Sequence, residues 1–233
     1  MAIKAVTFDV GSTLIFPQPS VAETFVAAAA NYGYDIPLEE AESHIDACWA
    51  LYFAEYERDG DFWCHHEGCK RIWVMQYELL CDLCGVTTHK DDVVEDVYRA
   101  FLRGHHWGIY PDVLPALEAL QTRGVHMAVI SNWDADLLNI LDDLELSRFF
   151  DVRLPSGLVG LRKPDPAFFR HALAELGLEP GEVLHVGDMD DADGEGPLNC
   201  GMRPLIIDRH GRDHAEGLPV INDLRRIGEY LAE

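Results

Sequence analysis

The stretch IKAVTFDVGSTL, residues 3–14, determines how the rest of the chain is interpreted. Its first six residues form a short apolar run that ends at Asp9, and the small residues GST follow at positions 11–13. A short apolar run bounded by such residues is typical of a buried parallel strand that enters a tight loop. The pattern therefore predicts that Asp9 lies at the carboxyl end of a strand.

The chain after this strand begins with a long helical region. Four helical patterns and no strand pattern occur in it, and they predict helices over residues 20–34, 38–57, 67–85 and 91–103. From residue 110 onwards helix and strand patterns alternate. Strands are predicted at 125–132, 149–155, 182–188 and 204–208, and a last helix at 221–233.

Alternation of helices and strands indicates a parallel sheet with right-handed crossovers. We therefore predict an α/β protein with a Rossmann-like parallel sheet core, formed by residues 1–16 and 107–233. Residues 17–106 are predicted to form an all-helical cap that interrupts this core directly after its first strand.

The composition limits the function classes. Apolar residues make up 48% of the chain and charged residues 25%, which is ordinary globular usage. The formal charge, 18 − 41 = −23, disfavours nucleic acids and anionic membrane surfaces as partners. The N-terminus lacks the three-part layout of a secretory signal, so we predict a cytoplasmic protein with reduced cysteines. The sequence leaves the oligomeric state open.

Polar residues follow the predicted core strands or lie in core loops. Because ligands bind beyond the carboxyl ends of parallel strands, these residues are expected to converge on one site. They are Asp9, Ser131, Asn132, Lys163, Asp188 and Asp193.

The segments that hold these residues are FDVGSTL (8–14), VISNWD (129–134), GLRKPDPAFF (160–169) and HVGDMDDADGEGPLNCGM (185–202). In this order they resemble the four motifs of the haloacid dehalogenase-like hydrolase superfamily. The helical insertion after the first motif is similar to the C1-type cap of subfamily I. The SNWD and GEGP details are most similar to the rhythmically-expressed-gene-like group.

The resemblance implies a magnesium-dependent hydrolase of small phosphorylated substrates, with Asp9 as nucleophile and an aspartyl-phosphate intermediate. A carboxylate that attacks a phosphate ester is an anion approaching an anion, so a divalent cation must neutralise charge. The implied Mg²⁺ ligands are Asp9, Asp188 and the carbonyl of Gly11, and Asp193 orients them or holds a metal-bound water.

The resemblance also implies how the substrate is held. Lys163 adds a positive charge next to the phosphate and to Asp9. Ser131, Asn132 and the loop amides of Ser12 and Thr13 are expected to donate hydrogen bonds to the transferring oxygens.

One position departs from the phosphatase pattern. Phosphatases of the superfamily carry a second aspartate two residues after the nucleophile, which protonates the leaving group, and here Gly11 occupies that position. Loss of such an acid costs about 10²–10⁴ in rate unless another group replaces it. His65, His66 and the cap aspartates are candidates for that replacement.

Two alternatives therefore stay open. A 2-haloacid dehalogenase displaces halide and needs no acid, but it has no need of Asp188 and Asp193 as metal ligands. A catalytically degenerate protein would bind a phosphorylated ligand without turning it over.

The cap also contains a group of cysteines and histidines: Cys64, His65, His66, Cys69, Cys81 and Cys84. Their spacing partly resembles that of a structural zinc site. Small buried thiols on helices explain the cysteines without a metal, so we predict that no zinc is bound.

Overall fold

The computed structural model describes residues 2–231. Its strands, in chain order, are β1 (Ala5–Phe8), β2 (Ile15–Pro17), β3 (Trp107–Ile109), β4 (His126–Ser131), β5 (Val152–Pro155), β6 (Val183–Gly187), β7 (Arg203–Ile207) and β8 (Val220–Ile221). Its α-helices are α1 (Val21–Ala30), α2 (Leu38–Ser43), α3 (Ile45–Arg58), α4 (His66–Leu83), α5 (Lys90–Ala100), α6 (Val113–Thr122), α7 (Leu137–Asp143), α8 (Ser156–Val159), α9 (Pro166–Leu176) and α10 (Gly196–Cys200).

Six strands form one parallel sheet in the order β5-β4-β1-β6-β7-β8. All four residues of β1, the sequence AVTF, are fully buried, as expected for a parallel strand that is covered on both faces. β1 pairs with β4 on one side and β6 on the other. The direction of strand addition therefore reverses at β1, which places a ligand-binding crevice at its carboxyl end.

Apolar clusters cover both faces of this sheet. The larger one packs sheet residues such as Val6 and Phe8 against Leu117 of α6 and Leu141 of α7. On the opposite face, Phe168 and Phe169 of α9 pack against the sheet. The α/β fold with a Rossmann-like parallel core is thereby confirmed.

Every regular element from Val21 to Ala100 is helical, and we call this segment the helical block. The predicted helix over residues 38–57 is in fact two helices, α2 and α3, which are separated at His44. The N–H of His44 donates to the carbonyl of Ala41, three residues back, which closes α2 with a tight turn. The predicted all-helical insertion is confirmed, whereas its boundaries as a separate domain stay a prediction.

A short antiparallel ribbon, β2 with β3, carries the chain into and out of the helical block. We did not predict it, because three residues on each side are too few to produce an alternating pattern. A Cβ at Gly108 would lie 2.4 Å from Oε1 of Gln18 and 2.7 Å from the ring of Phe16, so a side chain at this position would displace both.

The helical block has an apolar core of its own, which contains three of the cysteines. These are Cys48, Cys81 and Cys84. Burial raises the pKa of the Cys81 thiol to about 12 and that of Cys84 to about 11, so both thiols stay protonated at neutral pH. This placement accounts for them as packing residues, and the absence of zinc stays a prediction.

The end of the chain differs from the predicted α-helix over 221–233. Val220 and Ile221 form β8 along the edge of the sheet, and residues Leu224–Glu229 form a 3₁₀ helix packed on α6. Asp223 starts this helix by accepting the N–H of Arg225. The last two residues of the prediction, 232 and 233, lie outside the described part. Within residues 2–231 no helix is both long and apolar enough to span a membrane.

Candidate active site

Three neighbouring strand ends meet at the crevice. Asp9 follows β1, Ser131 ends β4 and Asp188 follows β6. Ser131 Oγ donates to Oδ1 of Asp9 at 2.9 Å. One carboxylate oxygen each from Asp9, Asp188 and Asp193 lie within 4.8 Å of one another. The fold thus brings together the residues that the sequence places at these strand ends.

Lys163 is the buried cation of this site, with 2% of its surface exposed. Its Nζ donates to Oδ1 of Asp9 at 2.7 Å and to Oδ1 of Asp193 at 2.5 Å. Asn132 fixes the main chain of Lys163 from both sides: its Oδ1 accepts the Lys163 N–H at 2.8 Å, and its Nδ2 donates to the Lys163 carbonyl at 3.0 Å. Asn132 therefore positions Lys163, and its expected contact with substrate stays a prediction.

Asp193 is held by three donors. Besides Lys163, Nε2 of His185 lies 3.0 Å from Oδ1, and the N–H of Met189 donates to Oδ2 at 3.0 Å. Burial alone would raise the pKa of Asp193, but Lys163 and His185 outweigh it and hold that pKa well below its ordinary value. Asp193 is therefore an ionised carboxylate whose lone pairs are largely used within the protein.

The glycine before Asp188 makes this arrangement possible. A Cβ atom at Gly187 would lie 2.1 Å from Cγ of Asp193. Only a residue without a side chain lets the turn that carries Asp193 approach the end of β6 so closely.

Asp188 is the least compensated of the three carboxylates. Its Oδ2 accepts one hydrogen bond from Arg212 at 3.0 Å, and the same guanidinium nitrogen donates to its main-chain carbonyl. Burial, followed by the charges of Asp9 and Asp193, raises the pKa of Asp188 to about 7, although Arg212 lowers it. Burial also raises the pKa of Asp9, against the opposing charge of Lys163.

This donor set fits Mg²⁺, which prefers oxygen ligands and a small number of carboxylates. Asp9 and Asp188 are the carboxylates that would hold the ion. Gly11 lines the same cavity, while Asp193 is occupied by Lys163, His185 and Met189 and would support the ligands from behind.

The loop after Asp9 differs from expectation. Ser12 has a φ of 55°, and its N–H donates to the carbonyl of Ile15 at 2.9 Å. The N–H of Thr13 donates to Val10 at 3.3 Å. The two amides that we expected to bind substrate oxygens thus already have backbone acceptors. Ser12 still lines the cavity, whereas the Thr13 side chain is fully buried.

The Trp133 ring lies close to the position of the missing aspartate. A Cβ atom at Gly11 would lie 3.1 Å from Cζ3 of the Trp133 indole. That ring packs edge-on against Trp107, with 5.0 Å between the ring centroids. Trp133 thus both packs against Trp107 and lines the cavity next to Gly11.

A cavity of about 360 Å³ separates these residues from the helical block. The lining residues from the block are all aromatic: Trp49, Tyr52, Phe53, Tyr56, Trp63 and Trp73. Sequence reasoning missed this set, although four of its members recur at i, i+3, i+4 and i+7 along α3, which is one helix face. It also missed Arg212, for which an irregular loop gives no signal.

The two histidines considered as replacement acids lie elsewhere. Nδ1 of His65 accepts the N–H of Gly68 at 2.9 Å, and His66 pairs with Asp134 of the core. Neither lines the cavity that holds Asp9.

Comparison with known proteins identifies the family of this chain. Residues 3–201 match the model of the haloacid dehalogenase-like hydrolases, so the chain belongs to this family of enzymes. It is 29% identical over 210 residues to human haloacid dehalogenase-like hydrolase domain-containing protein 3, covering 89% of this chain and 82% of that one. It is 32% identical over 203 residues to a phosphoserine phosphatase of Thermus thermophilus, covering 84% and 78%.

One of the similar solved structures is a dehalogenase, the second enzyme class considered for this chain. The 2-haloacid dehalogenase of Pseudomonas syringae pv. Tomato is 27% identical, with a TM-score of 0.66 and 98% of each chain covered. Family membership and hydrolase class, both predicted from the motifs, are thus confirmed, and the relatives include phosphatases and dehalogenases.

Proposed function

We propose that this protein is a magnesium-dependent phosphatase that acts on small phosphate esters through an aspartyl-phosphate intermediate at Asp9. One observation carries the proposal: Asp9 is held by Lys163 and Ser131 within reach of the carboxylates of Asp188 and Asp193. A nucleophile, a fixed cation and a magnesium donor set thus share one crevice.

The chemistry requires two steps. A carboxylate oxygen of Asp9 attacks phosphorus, and the bond from phosphorus to the ester oxygen breaks with its electron pair leaving on that oxygen, which takes a proton from water. A second water then attacks the phosphorus of the aspartyl phosphate, which releases inorganic phosphate and restores Asp9. Lys163 reduces the repulsion between Asp9 and the phosphate, and Mg²⁺ would neutralise part of the charge on both.

Dehalogenation is the second candidate, because Gly11 and the aromatic cavity wall suit a reaction that needs no acid. A screen of the purified protein against small phosphate esters and 2-haloacids, with and without Mg²⁺, separates the possibilities. Phosphate release that depends on Mg²⁺ supports our proposal, and halide release without metal supports the alternative. Ligand binding without turnover would indicate a degenerate protein.

Replacement of Asp188 by Asn should weaken Mg²⁺ binding at least about tenfold, because the variant loses a charged oxygen ligand of the ion. Calorimetric titration of Mg²⁺ into both proteins measures this difference. Asp213→Asn removes the same charge from an exposed position in the neighbouring loop and should bind Mg²⁺ like the wild type. Equal affinity in the Asp188 variant would remove Asp188 from the ligand set.

Restoring the acid at position 11 should require space as well as a carboxyl group. Because the Trp133 ring lies 3.1 Å from a Cβ at this position, Gly11→Asp alone should gain little. Gly11→Asp combined with Trp133→Ala should speed hydrolysis of esters with poor leaving groups, by at most about 10²–10⁴, and affect good leaving groups little. Rates over a series of leaving groups measure the gain.

Two controls belong to this experiment. Trp133→Ala alone should show no such gain, and Asp9→Asn should abolish activity in every background. If the folded double variant gains nothing, the leaving-group dependence of the parent decides the reason. If the rate of the parent falls steeply as the leaving group becomes more basic, the leaving group departs without an acid, and our account of Gly11 as the missing acid is wrong. If the rate hardly changes, another residue acts as the acid.

A further inference from the structure

The wall of the cavity opposite Asp9 consists of aromatic rings. Helix α3 directs Trp49, Tyr52, Phe53 and Tyr56 to it, and Trp63 and Trp73 complete it. The Tyr52 ring lies at the centre of this wall. It stacks nearly parallel to Tyr56, at 16°, and to Trp73, at 18°, with 6.0 Å and 6.4 Å between the ring centroids.

The polar atoms of this wall are largely occupied within the protein. Nε1 of Trp63 donates to the hydroxyl of Tyr52 at 3.2 Å, and the Tyr56 hydroxyl lies 3.5 Å from Oδ2 of Asp191, to which it donates. Burial raises the pKa of Tyr52 well above its ordinary range, so it stays neutral. The wall therefore offers mainly aromatic ring surface, to which Trp49 and Trp73 add two indole N–H groups.

No charged side chain of the helical block, all of which is described, lines the cavity. The guanidinium that lines it, from Arg212, belongs to the core and is already bound to Asp188. A leaving group with a carboxylate or a second phosphate would lose its hydration against this aromatic wall without gaining a positive charge there. The wall therefore disfavours an anionic leaving group.

Two of the rings have large free surfaces. Trp49 is 44% exposed and Phe53 is 45% exposed, although both are apolar residues that line the cavity. Such exposed apolar surface at a pocket indicates a binding surface. Aromatic rings attract a further ring in offset or edge-on packing, so a flat aromatic group matches this surface best.

The replacement of the usual aspartate by Gly11 independently favours an aromatic leaving group. Without the aspartate that Gly11 replaces, the leaving oxygen departs as an anion unless another cavity residue such as His210 protonates it, and departure as an anion is easier for a weaker base. A phenol has a pKa of about 10, against about 15.7 for water. The Trp133 ring, 3.1 Å from a Cβ at position 11, adds another aromatic ring on the side of the cavity next to Asp9.

We propose that the substrates of this site are aryl phosphates, the phosphate esters of uncharged phenols; this rests on the proposed phosphatase function. The bond from Asp9 to phosphorus forms as the bond from phosphorus to the phenolic oxygen breaks. The phenolate leaves with the electron pair and takes a proton from water. The aromatic wall binds the ring, and the weak basicity of phenolate replaces the missing acid.

The test compares phenyl phosphate with acetyl phosphate, which has a good leaving group but no ring, using the Mg²⁺-loaded protein. Trp49→Ala and Phe53→Ala should each raise KM for phenyl phosphate about two- to tenfold and raise it less for acetyl phosphate. Leu38→Ala, an exposed apolar residue of the helical block away from the cavity, should change neither KM.

The outcomes separate this proposal from the one on which it rests. Release of phosphate from neither compound would overturn the phosphatase function. Turnover of acetyl phosphate, an acyl phosphate, without turnover of phenyl phosphate would overturn the aryl proposal alone, and so would equal increases of KM for both compounds in the Trp49 and Phe53 variants.

A binding measurement gives a second readout without turnover. Four of the five tryptophans of the chain line the cavity, so intrinsic fluorescence reports on it directly. Phenylphosphonate, which has no ester bond, should bind about two- to tenfold more tightly than methylphosphonate, and Phe53→Ala should reduce this preference. Equal affinity of the two phosphonates for the wild type would overturn the proposal.

Discussion

Asp9→Asn is expected to lower phosphate release by at least about 10⁴-fold, because the variant lacks the carboxylate that we propose as the nucleophile. The amide has nearly the shape of the carboxylate and can still accept a hydrogen bond from Lys163. The fold should therefore persist. The repulsion among the three clustered carboxylates should decrease, because one of them becomes neutral. Steady-state rates and thermal unfolding of both proteins measure the two effects.

The intermediate itself gives the control for this prediction. Acid-quenched wild type should carry a phosphoryl group detectable by mass spectrometry, and the Asp9 variant should not. If the variant retained more than about one hundredth of the wild-type rate, Asp9 would not be the nucleophile.

Lys163→Met should both inactivate the protein and destabilise it by about 3–5 kcal/mol, because two buried carboxylates lose their shared cation while the volume stays similar. Urea unfolding of the wild type and the variant measures the loss. Lys4→Met is the matched control. Lys4 is 57% exposed and pairs with Glu182 at the surface, so its replacement should cost less than about 1 kcal/mol.

A double variant tests the physical reason. Lys163→Met with Asp193→Asn should recover part of the lost stability, because one unpaired charge is gone.

The pKa of Asp193 is held below its ordinary value of 3.8, so its ionised form stabilises the fold above about pH 4, and this contribution is lost as the pH falls further. Equal losses for Lys163→Met and Lys4→Met would contradict the buried-cation interpretation.

The sequence predicts the parts of the fold that local pattern encodes. β1, β4 and β6 lie within the predicted strands, β7 overlaps the strand predicted at 204–208, and polar residues at the strand ends identify Asp9, Ser131 and Asp188. These residues converge because β1 pairs with β4 and β6. The sequence did not predict this strand order, but the rule that ligands bind beyond the carboxyl ends of parallel strands was sufficient to expect the convergence.

Other features depend on packing that a linear pattern does not contain. The ribbon and β8 are two or three residues long, and their partners are far away in the sequence. Asn132 supports Lys163 through a contact between residues 31 positions apart in the sequence. Arg212 contacts Asp188 from an irregular segment. The spacing of the aromatic residues of α3 predicts one aromatic helix face, but only the structure shows that this face lines the cavity opposite Asp9.

The β2–β3 ribbon has an evolutionary consequence. The chain leaves the core at Pro17 and returns to it at Trp107, and these two residues are paired neighbours. Elements inserted between adjacent chain ends can vary in length and sequence with little effect on the host structure. The helical block is thus an exchangeable module: a lineage could acquire a new substrate preference by replacing it, while the carboxylates at the strand ends and their lysine are inherited unchanged.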